Sequence, residues 1–143
     1  MTLQFDLPYP PSVNHYWRRV GARTLISRQG RIFRESVCSL LALRRLHPLD
    51  GPLSIEIDVF PPDHRRRDID NLLKSLLDAL EAAGVYHNDS QIVELTIRKL
   101  EPVADGRTRV RIEEALDSIT RTNALPKTRE ASGQDNRRKL END

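Results

Sequence analysis

Cysteine is nearly absent from this sequence: Cys38 stands alone, in a stretch (FRESVCSLLAL) that reads as one face of a helix with a small buried thiol. A disulfide framework and a thiolate zinc cluster are both excluded. Glycine is sparse, six in 143 residues, and no G-x-G-x-x-G, P-loop or G-x-S-x-G occurs. By motif, that removes the dinucleotide, nucleoside-triphosphate and serine-hydrolase readings. The histidines (His15, His47, His64 and His87) are dispersed, with no HExxH and no zinc-ligand spacing. No apolar run approaches the ~20 residues of a membrane span. The opening MTLQFDLPYP has neither the basic nor the apolar region of a signal peptide. A soluble protein of the reducing cytoplasm is the expectation.

Lysine is also scarce, four against nineteen arginines. Residues 1–47 carry eight arginines against Asp6 and Glu35 alone. Arginine is the better fork for phosphate oxygens, so the composition leans towards nucleic acid or another polyanion. The length suits one domain with one modest core.

Leu3, Phe5 and Leu7 alternate as a strand, and PYPPSVNHYWRR then interrupts regular structure. Phe33, Val37, Leu40 and Leu41 predict a helix over about 32–46, stopped by HPLDGP. Leu53, Ile55, Ile57 and Val59 alternate in the clearest strand. Ile69, Leu72, Leu73, Leu76, Leu77 and Leu80 then give an amphipathic helix, with Gly84 placed to close it. Val93, Leu95 and Ile97 mark another strand, and Val110 and Ile112 a last one. The fold class predicted is α+β in the order β-α-β-α-β-β: a mixed sheet with helices mainly on one face, a two-layer sandwich. The central β-α-β is expected as a right-handed parallel crossover and the final pair as an antiparallel hairpin. Residues 1–116 form the domain. Residues 117–143 hold six basic and five acidic residues without apolar period, and a disordered tail is expected.

The chemistry concentrates in RRRDIDNLLK, residues 65–74. With Arg67 to Asp70 extended, Asp68 and Asp70 point to one side while Ile69 turns inward, and the helix begins at or after Asp70. A structural reading is available, since a carboxylate at a helix entry caps its N–H groups. Against it stands a third acid, Asp89, between the helix end and the next strand. It reaches the first two only if its loop folds back along the helix. Three gathered carboxylates need a cation, and hard oxygen ligands suit Mg2+ or Mn2+. Lys74 either bridges Asp70 one turn earlier or stabilises charge developing on a phosphate. Arg65, Arg66 and Arg67 are a solvated run or a phosphate-steering rim. Asn14, Tyr16, Trp17, Arg18 and Arg19 mix aromatic faces with cationic forks, as nucleic-acid surfaces do, although Tyr16 and Trp17 equally suit a core. His64 and His87 flank the acids and read as surface loop residues.

LPYPPSVNHYWRR and FPPDHRRRDIDNLLKSLLDALEAAGVYHNDSQIVEL, with the order of elements between them, resemble the RusA-type Holliday junction resolvases of bacteria and their prophages. The likeness spans nearly all of residues 1–115. It implies a Mg2+-dependent homodimer (Mn2+ as a substitute) that cuts four-way DNA junctions by paired nicks. It also implies metal-holding and catalytic roles for Asp68, Asp70 and Asp89, a catalytic role for Lys74, and convergence of Asp89 on the site. Two positions depart from the family pattern. Asn88 replaces one acid of a common Asp-Asp pair, leaving an amide oxygen as the ligand it offers, and Val13 stands where an asparagine is frequent. The competing readings are a branched-DNA-binding module whose acids only cap and bridge, and a partner protein whose basic face meets an acidic protein.

Overall fold

Leu3, Phe5 and Leu7 do point inward along strand β1 (Thr2–Leu7). The computed structural model describes residues 2–115, so the expected disorder of 117–143 lies outside the described residues. After β1 the chain is more regular than its prolines suggest. One helical turn, α1 (Val13–Tyr16), leads into a hairpin of β2 (Trp17–Val20) and β3 (Arg23–Ile26). Gly21, at φ +60, opens the two-residue loop, a conformation that favours glycine at this hairpin position. Both strands are exposed almost throughout, so no inward alternation marks them.

Helix α2 (Arg28–Ala42) starts and stops about four residues earlier than its apolar spacing implies. The Ser27 side chain fixes the start by accepting from the Gly30 N–H at 3.0 Å. Phe33, Val37 and Leu41 are buried, whereas Leu40 and Leu43 are exposed and Cys38 is only partly covered. At Gly30, a Cβ would stand 2.8 Å from Tyr16 Cδ2 and 2.9 Å from the Tyr16 carbonyl oxygen. Gly30→Ala should therefore destabilise the fold by about 1–3 kcal/mol. Urea unfolding would report it as a lower midpoint at unchanged slope.

Strand β4 (Leu53–Phe60) alternates as read, and helix α3 (Leu73–Ala82) follows through a 3-10 turn at Ile69–Leu72. Gly84, at φ +77, closes α3. Its N–H donates to the Glu81 carbonyl at 3.0 Å and that of Val85 to the Leu80 carbonyl at 3.1 Å, a Schellman closure. Strand β5 (Ile92–Lys99) is parallel to β4, and β6 (Arg107–Glu114) is antiparallel to both β4 and β1. The sheet order is β1-β6-β4-β5.

The α+β class and the mixed sheet stand, but one pairing is corrected. β5 and β6 are not a hairpin: β6 inserts between β1 and β4, leaving β5 at the edge. Burial gives the reason. Thr108, Val110 and Ile112 are wholly buried in β6, while Val93 and Leu95 of β5 remain 62% and 39% exposed. The connection crosses the end of β4, fastened by Leu100 N–H to the Val59 carbonyl (2.8 Å) and Val103 N–H to that of Pro61 (2.9 Å).

Phe33, Val37 and Leu41 of α2 pack with Leu76 and Leu80 of α3 over Ile55, Ile57, Val110 and Ile112 of the sheet. Each such side chain contributes about 1.5–3 kcal/mol by leaving water. The opposite face is polar: Arg98 pairs with Asp58 at 2.7 Å and with Glu56, and Arg109 with Asp6 at 3.3 Å. Among the described residues no helix is long and apolar enough to cross a membrane. Because β4 and β5 are parallel, the end of β4, the entry to α3 and the end of β5 lie at one edge of the domain. Asp89 precedes β5 and so lies towards the other.

Candidate active site

Asp63 organises the approach to the acids. Its Oδ1 accepts from the Arg65 N–H at 2.9 Å, a side-chain turn two residues long, and from Arg67 Nη1 at 2.5 Å. The Arg67 hydrogen bond holds the Asp63 carboxyl down at about 2. The sign is that of a depressed acid: the contact is complete above the ordinary value of 3.8 and is lost as pH falls through about 2. An NMR titration of Asp63 should show a midpoint near 2, returning towards 3.8 in Arg67→Gln. From the other side, Lys99 at the end of β5 donates to the Arg67 carbonyl at 3.0 Å. The backbone entering Asp68 is thus held from both sides.

Asp68 is extended (φ −84, ψ 129) and takes the N-cap position of the 3-10 turn, yet its side chain makes no cap bond. This corrects the expected geometry. The turn begins between the two acids, so Asp68 rather than Asp70 stands at the cap, and Asp70 is the second residue of the turn. Asp68 accepts one long hydrogen bond, 3.4 Å, from Asn71 Nδ2. Asp70 makes no side-chain hydrogen bond or ion pair among the described residues. Both carboxylates are exposed. Capping occupies neither.

Lys74 does not bridge Asp70. Its Nζ donates to Asp78, one turn further along α3, at 3.1 Å. That bond holds the ammonium pKa above its usual value, and the charge of Asp89 adds to the effect. Asp89 therefore shares the Lys74 side of α3, where its own N–H donates to Glu81 Oε1 at 2.9 Å. Convergence of three acids is not met within this chain. Among the described residues no three His, Cys, Asp or Glu side chains gather closely enough to hold a metal ion. The pair alone has the donor chemistry for a hard divalent ion, since Mg2+ takes one or two carboxylates and completes its shell with water and phosphate oxygens.

Asn88 has a local structural role. Its Oδ1 accepts from the Ser90 N–H at 2.8 Å, while Gln91 Oε1 accepts from the Asn88 N–H at 3.0 Å, a reciprocal cap. An aspartate would cap there equally well. His87 pairs with Asp50 at 2.8 Å, and His64 is exposed.

The arginines divide by what they touch. Arg67 is latched to Asp63 and lies 5.9 Å from the Tyr9 ring centre; Arg65 is 3.8 Å from Asp63. Arg66 has no such partner among the described residues. Asn14, Arg18 and Arg19 are exposed. Tyr16, expected among the nucleic-acid contacts, is fully buried, its hydroxyl accepting from Arg34 at 3.0 Å. Its ring is core and cannot stack on a base. Trp17, packed edge-on against it, is the aromatic left 37% exposed. Asn14, the three arginines and Asp68 line one cavity of about 900 Å³. Asp63, Asp78 and Lys99 were missed by the sequence reading. Asp63 and Asp78 carried local signals, at two and four residues from their partners; Lys99, 32 residues from Arg67, carried none.

The mixed-sheet α+β domain thus places two exposed carboxylates at a helix entry, with an ammonium one turn on and a guanidinium rim beside them, a donor set whose chemistry suits a hard cation and phosphate oxygens. Residues 8–113 match the family Endodeoxyribonuclease RusA, and the chain belongs to that family. It is 40% identical to the crossover junction endodeoxyribonuclease rusA of Enterobacteria phage HK97, over 81% of this chain and 97% of that protein. It is 38% identical to the RusA enzyme of the same description from Escherichia coli K12, over 79% and 95%, and 39% to that of Enterobacteria phage 82, over the same shares.

Proposed function

We propose that this chain is a structure-selective endonuclease that resolves four-way DNA junctions by paired, metal-dependent phosphodiester hydrolysis, working as a homodimer. The observation that carries it is the pair of exposed carboxylates, Asp68 and Asp70, that neither cap nor bridge. In this reading they hold Mg2+, for which Mn2+ substitutes. Asp89 is the third acid, acting from the Lys74 side. When bound, the ion supplies Lewis-acid polarisation of the phosphate and a lowered pKa for the attacking water. Lys74, paired with Asp78, faces the negative charge that builds on the phosphate and leaving oxygens. A two-fold dimer suits a substrate that presents two related strands. The protein would act in the cytoplasm, where that DNA lies.

Arg66 is the arginine freest to meet a phosphate. Arg66→Ala should weaken junction binding and lower the slope of log K against log salt by about one. Arg67→Ala should change the slope less, because its guanidinium is already held by Asp63. Fluorescence anisotropy across a salt series measures both. Nicking of a labelled junction and a linear duplex of the same sequence, in Mg2+ and in EDTA, tests the activity. Junction-only nicking that needs the metal supports it. Equal binding in both media with no nicking in either would leave a branched-DNA-binding module.

A further inference from the structure

The cavity beside Asp68 is larger than a metal site needs and differently walled. Its volume of about 900 Å³ lies in the range that encloses small organic ligands. Phe33 and Leu72, both nearly fully buried, contribute apolar lining, and Ile32 of α2 faces the same space while 52% exposed. The amides of Asn14 and Gln29 also line it, and neither has a side-chain hydrogen bond among the described residues. Arg66 and Asp68 line the same cavity. A matching ligand has an apolar face, a hydrogen-bonding edge and an anionic tether leaving towards Arg66 and Asp68. In DNA, a nucleobase with its phosphate has all three.

We infer that this cavity takes one nucleobase of the strand to be cut, unstacked at the branch point, and that Gln29 and Asn14 read its edge. Amide side chains pair with base edges through both their donor and acceptor, and the apolar lining receives the ring. Unstacking costs free energy, and the cost is least where pairing or stacking is already interrupted. A branch point supplies such a base and a continuous duplex does not. The pocket thereby turns junction geometry into selectivity. This inference rests on the nuclease reading above and adds to it the group that is recognised.

The test uses the full chain and four-way junctions with 2-aminopurine placed singly at nucleotides flanking the branch, held uncut in Ca2+, beside the matching duplexes. Fluorescence of this base rises when it leaves the stack. The expected result is a rise at one position next to the cleaved bond, absent in the duplex. Ile32→Trp, which fills the cavity from an exposed helix position, abolishes the rise and lowers kcat/KM about 10-fold to 100-fold, the range for losing one base contact. Gln29→Ala, which removes only the amide, keeps the rise and flattens the dependence of rate on the base at that position. Wild-type cleavage in Mg2+ with no rise at any position would overturn the inference and leave the nuclease reading intact. So would an Ile32→Trp protein that cleaves and fluoresces like wild type. Neither binding nor cleavage of any junction would overturn both.

Discussion

Asp68→Asn and Asp70→Asn should each lower junction cleavage by about 10³-fold or more, since a divalent ion supplies several kcal/mol of charge stabilisation, while junction binding in EDTA does not fall. Both halves follow from what these carboxylates do not do. They make no cap bond, Asp68 takes one long bond from Asn71, and both are exposed. Replacing either by its amide isostere should change stability by no more than about 0.5 kcal/mol. Losing a negative charge beside a phosphate backbone also removes repulsion, so affinity holds or rises. Single-turnover cleavage and anisotropy measure the two effects separately. An acid that served the fold would lower the melting temperature instead and leave the chemistry of the surviving protein unchanged.

Lys74→Met should cost about 10²–10³-fold in cleavage, the range for removing one group aimed at developing charge. Its stability effect should be small, because a half-exposed i, i+4 pair with Asp78 contributes at most about 0.5 kcal/mol. The Asp78 bond raises the Lys74 pKa above 10.5. For a raised base, the charged state persists below the ordinary value and is lost as pH climbs through the folded one. The alkaline limb from Lys74 should therefore have its midpoint above the ordinary lysine value. In Asp78→Asn that limb should move down. A profile unaltered by Asp78→Asn would mean that Lys74 works without its partner.

What could be read in advance divides by the range of the forces involved. The alternation of β4 and the leucine spacing of α3 predict their elements directly, because each element buries one face of its own. The hairpin β2–β3 was invisible for the opposite reason: its strands bury almost nothing, and Gly21 was the one local sign of its turn. The false β5–β6 hairpin came from treating two alternating strands as equal, when one is wholly buried and the other an edge. In the site, Asp68, Asp70 and Lys74 were legible because they are near in sequence and share a helix entry. Tyr16 stays open between DNA contact and core in the sequence, because an aromatic among arginines has the same composition whether it stacks on DNA or, as here, is buried under Arg34. Asp89 depended on how a loop returns past α3, which no local spacing determines.

The most direct test of paired, metal-dependent resolution is a supercoiled plasmid that extrudes a cruciform, incubated with the protein in Mg2+ and in EDTA and resolved into circular, nicked and linear forms. Two sites acting on one junction within one binding lifetime should convert the plasmid to the linear form in Mg2+ only, with Asp70→Asn leaving it intact. Plasmid that stays supercoiled across a Mg2+ and Mn2+ series, despite tight cruciform binding, would contradict the account.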